Sequence, residues 1–311
     1  MFLCLDDLLF FIRRFSLSII AISAKNIMKW KMNMDWTNKM IETGDGSYLY
    51  TRHIGQGQPL LLIHGAVVDS EFFTDFAEIL SEKYHVITYD RRGYGYSGAD
   101  SEEEDRELYP GVTDGQEYYR RQAKDACLVL KEYTKEPAVV LGCSAGAFVA
   151  LALAAEHPEM IRQLFLHEPP AYILMKEDVR AWEIIDGIKE NIRGQRYNRA
   201  LNRFILFVTD PRESKIEMNQ HEVHFFMKNG LNFIKNEFLP TFSSDILPEK
   251  LPEGMDVMVL CGQETGDDAP HGIAAKRVAD RFGLKLAYMP GFHNAVREES
   301  KAFAQKLSFF I

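Results

Sequence analysis

Residues 138–157 read AVVLGCSAGAFVALALAAEH, and this stretch decides the fold. The first four residues are apolar and partly β-branched, which predicts a buried strand. The alanine-rich residues 147–157 end before Pro158 and predict a helix. Between them lies G-C-S-A-G, a G-x-S-x-G motif at a strand-to-helix junction. In this context the motif predicts a sharp turn that carries Ser144 as a nucleophile.

The two glycines of the motif have a steric role. The turn is so tight that a larger side chain at Gly142 or Gly146 should clash with the neighbouring backbone. Such a turn raises the Ser144 hydroxyl above the sheet. It also directs the free N–H groups at the start of the following helix towards the same place. The alternative is that Ser144 only caps that helix.

The composition limits the function classes. The 311 residues are 46% hydrophobic and 26% charged, which suits one large α/β domain with an insertion. The net charge of −9 argues against nucleic acid or an anionic membrane as the main partner. The four cysteines, Cys4, Cys127, Cys143 and Cys261, have no C-x-x-C spacing, so neither a zinc site nor a disulfide framework is predicted.

Residues 1–35 are predicted to be an N-terminal extension outside the fold. Their apolar runs are interrupted by Arg13 and Arg14, and the longest uninterrupted run has about ten residues, where a membrane-spanning helix needs about 20. Acidic residues near the start also weaken the resemblance to a signal peptide. We therefore expect a cytoplasmic protein whose working part begins near Met28 or Met34. A signal peptide or membrane anchor is the alternative.

Strand-like and helix-like segments alternate along most of the chain, which predicts an α/β fold with a mostly parallel sheet flanked by helices. Residues 169–253 break this alternation, although such connections usually have about two to six residues. This segment is helical and rich in phenylalanine, so we expect a helical cap inserted after the sixth strand. Residues 36–168 and 254–311 then form the core. Most cap aromatics should pack against the core, and a few should line an apolar pocket.

Four motifs occur in the order found in the α/β-hydrolase fold superfamily, which the chain resembles over about residues 40–311. They are His64-Gly65-Ala66, Asp90-x-Arg92-Gly93-x-Gly95-x-Ser97, Gly142-x-Ser144-x-Gly146 and Pro290-Gly291-Phe292-His293. The segment His167-Glu168-Pro169-Pro170 also resembles a less characterised subgroup of esterase-like members. The resemblance implies a catalytic triad in the chain order serine, acid, histidine.

His293 is the expected general base. It follows the last predicted strand after a Pro-Gly turn, where the superfamily has its histidine loop. Ser144 needs such a base because a free serine hydroxyl is a weak nucleophile. Among the other histidines, His64 is expected to shape its loop, and His271 is expected at the surface or in the cap.

The resemblance also implies an oxyanion hole made of two backbone N–H groups. One belongs to Ala145, directly after the nucleophile, and the other to Ala66, in the loop after the His64-Gly65 strand. Two such donors would stabilise the negative charge that develops on a carbonyl oxygen.

The acid is where the sequence departs from the superfamily pattern. Most members have G-x-x-D after the strand that precedes Gly262, whereas this chain has Thr265 at the place of the aspartate. Asp267 or Asp268 would substitute if the loop is longer. The alternative, which we favour, is Glu168, because some members of the superfamily carry the acid after the preceding strand. Its role would be to orient His293 and to stabilise its cation.

The favoured function is that of a serine hydrolase of the carboxylesterase type, acting through an acyl-enzyme on a small, partly apolar substrate. Neither a cofactor nor a metal ion is expected. The same triad would also serve a carbon–carbon bond hydrolase, a lactonase or a haloperoxidase-like enzyme, because fold alone does not select the reaction. A ligand-binding protein with weak turnover is the alternative from another class.

Overall fold

A computed structural model describes residues 36–97, 114–213, 218–243, 245–266 and 269–311. The predicted extension, residues 1–35, lies outside the described residues, and so do the two acid candidates Asp267 and Asp268. No helix of the described part is long and apolar enough to cross a membrane.

The described residues form one eight-stranded sheet. Its strands are β1 (Thr37–Glu42), β2 (Tyr48–Ile54), β3 (Gln58–Ile63), β4 (Tyr84–Tyr89), β5 (Ala138–Cys143), β6 (Ile161–His167), β7 (Val257–Gly262) and β8 (Lys285–Met289). They lie in the order β1-β2-β4-β3-β5-β6-β7-β8. β2 is antiparallel to both of its neighbours, and all other neighbouring strands are parallel. The prediction of a mostly parallel sheet is therefore confirmed.

Helices follow most of the strands. They are α1 (Thr74–Leu80), α2 (Gly115–Tyr133), α3 (Ala145–Glu156), α4 (Val179–Arg193), α5 (Tyr197–Val208), α6 (Gln220–Asn232), α7 (Phe238–Ser243), α8 (Pro270–Phe282), α9 (Ala295–Glu298) and α10 (Ser300–Leu307). A π-helical turn, Phe233–Glu237, joins α6 to α7. α2 begins where Asp114 caps it, because the Asp114 carboxylate accepts the Gln116 N–H.

Helices cover both faces of the sheet. Leu60 and Leu62 of β3 belong to a buried cluster with side chains of α1 and α10. Leu61 and Ile63, which point the other way, belong to a cluster with side chains of α2, α3 and α8. Because successive side chains of a strand face opposite sides, a strand buried on both faces must be apolar throughout. The continuous apolar run of β3 follows from this architecture.

The segment between β6 and β7 is a helical insertion that contains α4 to α7. It has its own buried cluster, to which α4 contributes Ile185 and Ile188 and α5 contributes Leu201 and Phe204. Tyr94, from the loop after β4, belongs to the same cluster and joins it to the core. The insertion after the sixth strand was therefore predicted correctly. Its proposed limits at residues 169 and 253, and its function as a cap, stay predictions.

Candidate active site

The turn at Ser144 has the strained geometry that its motif predicts. Ser144 has φ 52° and ψ −124°, in a region that residues other than glycine rarely occupy. A Cβ on Gly142 would lie 2.5 Å from the carbonyl oxygen of Gly146. A Cβ on Gly146 would lie 2.3 Å from the carbonyl oxygen of Ile63. The Ser144 side chain makes no capping hydrogen bond to α3, so the alternative of a helix cap is not supported.

His293 and Glu168 are brought together although 125 residues separate them. His293 Nδ1 lies 2.6 Å from Glu168 Oε2, and the Glu168 side chain is fully buried. The other carboxylate oxygen, Oε1, accepts the backbone N–H of Gly262 at 2.7 Å, at the end of β7. A carboxylate only accepts, so Nδ1 of His293 carries a proton and a neutral ring keeps its lone pair on Nε2. This arrangement suits a general base.

The backbone and ionisation of Glu168 are both unusual. Its φ is 44°, a left-handed conformation, and Pro169 follows it. Burial opposes ionisation of this carboxyl group, but the hydrogen bond and charge of His293 outweigh it and hold the pKa of Glu168 below its usual range. The side chain is therefore a buried carboxylate held by two N–H donors and by the thiol of Cys261, whose Sγ lies 3.6 Å from Oε1.

Ser144 lies at the same edge of the sheet. Its backbone N–H donates to the carbonyl of His167 at 2.8 Å, so Ser144 contacts the residue that directly precedes Glu168. The loop after β3 also reaches this place, because a Cβ on Gly65 would lie 3.0 Å from Ser144 Cβ. The candidate nucleophile, the acid and the histidine thus follow the carboxyl ends of β5, β6 and β8. Ligands of open α/β sheets bind at this edge.

The two predicted oxyanion donors come from the start of α3 and from the loop after β3. Ala145 is the first residue of α3, and Ala66 belongs to the loop that Gly65 brings against Ser144. The next residue, Val67, has φ 58°, which bends the loop sharply. His64 is fully buried and hydrogen-bonds within this loop, so its predicted structural role is confirmed.

His271 is not a surface or cap residue, and that expectation was wrong. It is buried in the first turn of α8, and its ring stacks on that of His293. Its Nε2 donates to the carbonyl of Val208 at 3.1 Å, and its Nδ1 accepts the Tyr172 hydroxyl at 3.0 Å. Burial, aided by the nearby His293, lowers the pKa of His271 to about 3. Pro270, a common first residue of helices, was a signal that this histidine begins a helix.

A third histidine, His167, also lies beside His293. The ring of His167 is fully buried, with its centroid 6.0 Å from that of His293 and 5.2 Å from that of Phe303. Neither ring nitrogen of His167 has a hydrogen-bond partner among the described residues. Burial lowers the pKa of this side chain to about 4. Both histidines beside His293 are therefore neutral near neutral pH.

One potential donor atom each from Glu168, His271 and His293 lie within 4.8 Å of one another, a spacing that a metal ion could use. Both nitrogens of His271 are, however, engaged by Val208 and Tyr172. Nδ1 of His293 is engaged by Glu168. The three side chains therefore suit a hydrogen-bonded acid–histidine pair better than a metal centre.

A cavity of about 310 Å³ opens beside Val67. It lies between the loop after β3, α6 of the insertion and Arg297, which forms an ion pair with Glu222 at 2.7 Å. Its lining is mixed, with Phe225 and Phe226 beside charged residues. The cavity thus joins the loop of the candidate oxyanion hole to the helical insertion.

Comparison with known proteins agrees with this architecture. A family model described as the alpha/beta hydrolase fold matches residues 58–208. An uncharacterized hydrolase of Bacillus subtilis, YraK, is 24% identical over 84% of this chain and 92% of its own. A solved esterase from Exiguobacterium antarcticum superposes with a TM-score of 0.66 at 20% identity, covering 88% of this chain and 99% of that chain.

A bromoperoxidase from Bacillus anthracis matches almost as well, with a TM-score of 0.65 at 18% identity over 88% of this chain and 99% of that chain. The chain therefore has the α/β-hydrolase fold. Since an esterase and a bromoperoxidase share its fold equally, the reaction must be argued from the site.

Proposed function

We propose that the protein is a serine hydrolase that cleaves carboxylic esters through an acyl-enzyme. The hydrogen bond between His293 Nδ1 and the buried Glu168 carboxylate, at the edge that holds Ser144, is the observation that carries this proposal. The relatives that are named hydrolase and esterase support the same class.

The reaction begins when Ser144 Oγ attacks the ester carbonyl while His293 Nε2 takes the hydroxyl proton. Collapse of the tetrahedral intermediate breaks the bond to the alkoxy group, which leaves as the alcohol with the proton from His293. Water then attacks the acyl group while His293 takes one of its protons. Collapse of this second tetrahedral intermediate breaks the bond between the acyl carbon and Ser144 Oγ, which takes the proton back from His293 as the carboxylic acid departs. Glu168 keeps the imidazole oriented and stabilises its cation throughout, without taking the proton.

The N–H groups of Ala66 and Ala145 serve as the oxyanion hole in this proposal. The loop that carries Ala66 crowds Ser144, and Ala145 begins the helix whose positive end faces the same place. Removing one donor of an oxyanion hole typically lowers turnover by about a hundredfold or more. Neither donor depends on a side chain at its own position.

The helical insertion is proposed to act as a cap that shapes the substrate pocket. The cavity beside Val67 has a wall from α6, where Phe225 and Phe226 provide apolar surface. The lining of this cavity includes neither Ser144 nor His293, so we propose the cavity as an approach to the site for a partly apolar substrate of modest size. The protein is proposed to need neither a metal ion nor an organic cofactor for this chemistry.

A fluorophosphonate probe tests the nucleophile directly. The wild type and Ser144→Ala are treated in parallel, and the adduct is located by mass spectrometry. Rapid labelling on Ser144, with p-nitrophenyl ester hydrolysis that Ser144→Ala lacks, is the expected result. Folded wild-type protein that neither labels nor hydrolyses esters would refute the serine-hydrolase proposal and favour a ligand-binding role.

A substrate panel then tests the ester class. Short and medium acyl esters, a lactone, a β-diketone and bromide with peroxide are compared at matched concentrations. Ester turnover should be fastest by kcat/KM. Faster cleavage of the lactone or the diketone would keep the triad but change the substrate class.

A further inference from the structure

A buried ion pair outside the acid–histidine pair joins the insertion to the core. Arg91 follows β4, and Glu237 closes the π-helical turn between α6 and α7. Arg91 Nη1 lies 3.0 Å from Glu237 Oε1, and both side chains are fully buried. Burying two charges is costly unless their hydrogen bonds are satisfied, so such a pair calls for a reason.

The carboxylate of Glu237 is held by several donors. Besides Arg91, it accepts the hydroxyl groups of Tyr94 at 2.5 Å and Tyr119 at 3.0 Å. Gln122 accepts a further bond from Arg91 Nη1 at 2.9 Å. These bonds to Glu237 and Gln122 are made by Nη1 of Arg91. They fix the position of the guanidinium group and leave Nη2 to contact a different partner.

Nη2 of Arg91 donates to the carbonyl oxygen of Gly65 at 3.0 Å. A second donor reaches the same oxygen from His64, whose Nδ1 lies 2.9 Å away. The tautomer of His64 is set by Arg91, because the Arg91 backbone N–H donates to His64 Nε2 at 2.9 Å. Burial and the charge of Arg91 lower the pKa of His64, so the ring is neutral and Nδ1 carries its only N–H.

Fixing this carbonyl also fixes the neighbouring N–H. The carbonyl of Gly65 and the N–H of Ala66 belong to one planar peptide unit. The described residues contain no cis peptide bond, so these two groups point in opposite directions. When Arg91 and His64 hold the Gly65 oxygen, the Ala66 N–H must point away from them.

We infer that Arg91, anchored by Glu237, is a positioning residue that orients the Ala66 N–H as an oxyanion donor. This inference rests on the proposed serine-hydrolase function. It gives the insertion a part in catalysis beyond covering the pocket, because Glu237 belongs to the insertion. The negative charge of the transition state would then be stabilised fully only while Glu237 of the π-helical turn contacts Arg91 of the core.

The test uses the double variant Arg91→Met/Glu237→Gln in the full chain. Removing both charges avoids leaving one of them buried and unpaired. The matched control is Arg92→Met/Asp125→Asn, which removes a neighbouring buried ion pair. Arg92 forms ion pairs with Asp125 and Asp45, whereas Arg91 donates to the carbonyl of Gly65. Folding of both is checked by near-ultraviolet circular dichroism and thermal unfolding.

Kinetics of ester hydrolysis give the decisive readout. A misoriented oxyanion donor should lower kcat about 10- to 100-fold and leave KM within about twofold, because the interaction is made mainly in the transition state. The affinity for a trifluoromethyl ketone, which forms a tetrahedral adduct on the serine, should fall by a similar factor. The control variant should keep kcat and this affinity within about threefold of the wild type.

Three outcomes would overturn the inference. One is a folded double variant with wild-type kcat and KM, and another is a folded double variant with unchanged kcat and a raised KM, the sign of a damaged pocket. If the double variant does not fold, Arg91→Lys replaces it, because lysine keeps the charge beside Glu237 but lacks the fork that reaches both partners. A wild-type kcat in that variant is the third. Failure of the wild type itself to label or turn over would instead refute the underlying function.

Discussion

The imidazole rings of His271 and His293 lie face to face, with their centroids 3.8 Å apart and their planes 6° from parallel. His271 is itself fixed by Tyr172 and by the carbonyl of Val208 at the end of α5. The neutral His271 ring, held by two hydrogen bonds, thus provides a fixed surface on which the ring of the candidate general base stacks.

Removing the His271 ring should lower turnover. In His271→Ala the His293 ring loses its contact surface, and we expect kcat to fall about 10- to 100-fold because catalysis depends on accurate placement of the base. His271→Phe keeps a flat ring and should retain kcat within about tenfold. Steady-state ester hydrolysis measures both, with the exposed His224→Ala as the control. Wild-type kcat in His271→Ala would contradict a positioning role.

The low pKa of His271 predicts how stability depends on pH. The folded state binds this proton near pH 3, whereas an unfolded histidine binds it near its ordinary value of 6.5. Between these values the unfolded state carries more protons, so this residue makes the free energy of unfolding decrease as the pH falls below about 6.5. The contribution approaches about 1.4 kcal/mol per pH unit.

Urea unfolding of the wild type and His271→Phe at pH 7.5, 6.0 and 5.0 tests this point. The free energy of unfolding of the wild type minus that of His271→Phe should be largest at pH 7.5 and should decrease towards pH 5. The reason is that only the wild type has a histidine at position 271 that binds a proton more readily when the chain is unfolded. Two parallel profiles would show that His271 does not titrate in this way.

Glu168→Gln should abolish most of the activity. The carboxylate accepts both the Gly262 N–H and the His293 Nδ1–H, whereas a glutamine offers one oxygen and places an amide N–H₂ against one of these donors. We expect kcat to fall by about two to four orders of magnitude. Asp267→Asn should stay near the wild type, and the opposite ranking would move the acid to that loop.

Gly65→Ala should separate activity from stability. The added Cβ would lie 3.0 Å from Ser144 Cβ and 3.2 Å from the carbonyl oxygen of Cys143, so it should displace the candidate nucleophile and reduce kcat more than tenfold, at a smaller cost in stability than Gly146→Ala. Gly146→Ala is the contrasting variant, because its Cβ would meet the carbonyl oxygen of Ile63 at 2.3 Å and should destabilise the fold. Thermal unfolding with parallel kinetics measures both effects. Unchanged activity in Gly65→Ala would argue against crowding at Ser144.

Local patterns predicted most of the fold. The strand that begins at Ala138 and the helix that ends before Pro158 depend on neighbours in the chain, and both were found where the sequence pattern places them. The turn at Ser144 carries its own steric signature in Gly142 and Gly146. The Glu168 position was favoured because the chain resembles a superfamily in which some members carry the acid after the preceding strand.

The contacts that sequence analysis missed are those between distant segments. Arg91 and Glu237 are 146 residues apart, and no local pattern of charge marks either as buried. The stacking of His271 on His293 requires the start of α8 to meet the loop after β8, which depends on how helices are laid across the sheet. Such pairings are set by tertiary structure, so one sequence carries no direct sign of them.

Val67, Ser144 and Glu168 share a left-handed backbone that glycine would adopt without strain. Each adverse conformation costs on the order of 1–3 kcal/mol, and all three belong to the candidate site or its adjoining loop. A thermostability screen blind to turnover would therefore be drawn to glycine at these positions. It would enrich robust but inactive proteins, so any engineering campaign on this chain should exempt these three residues from its library.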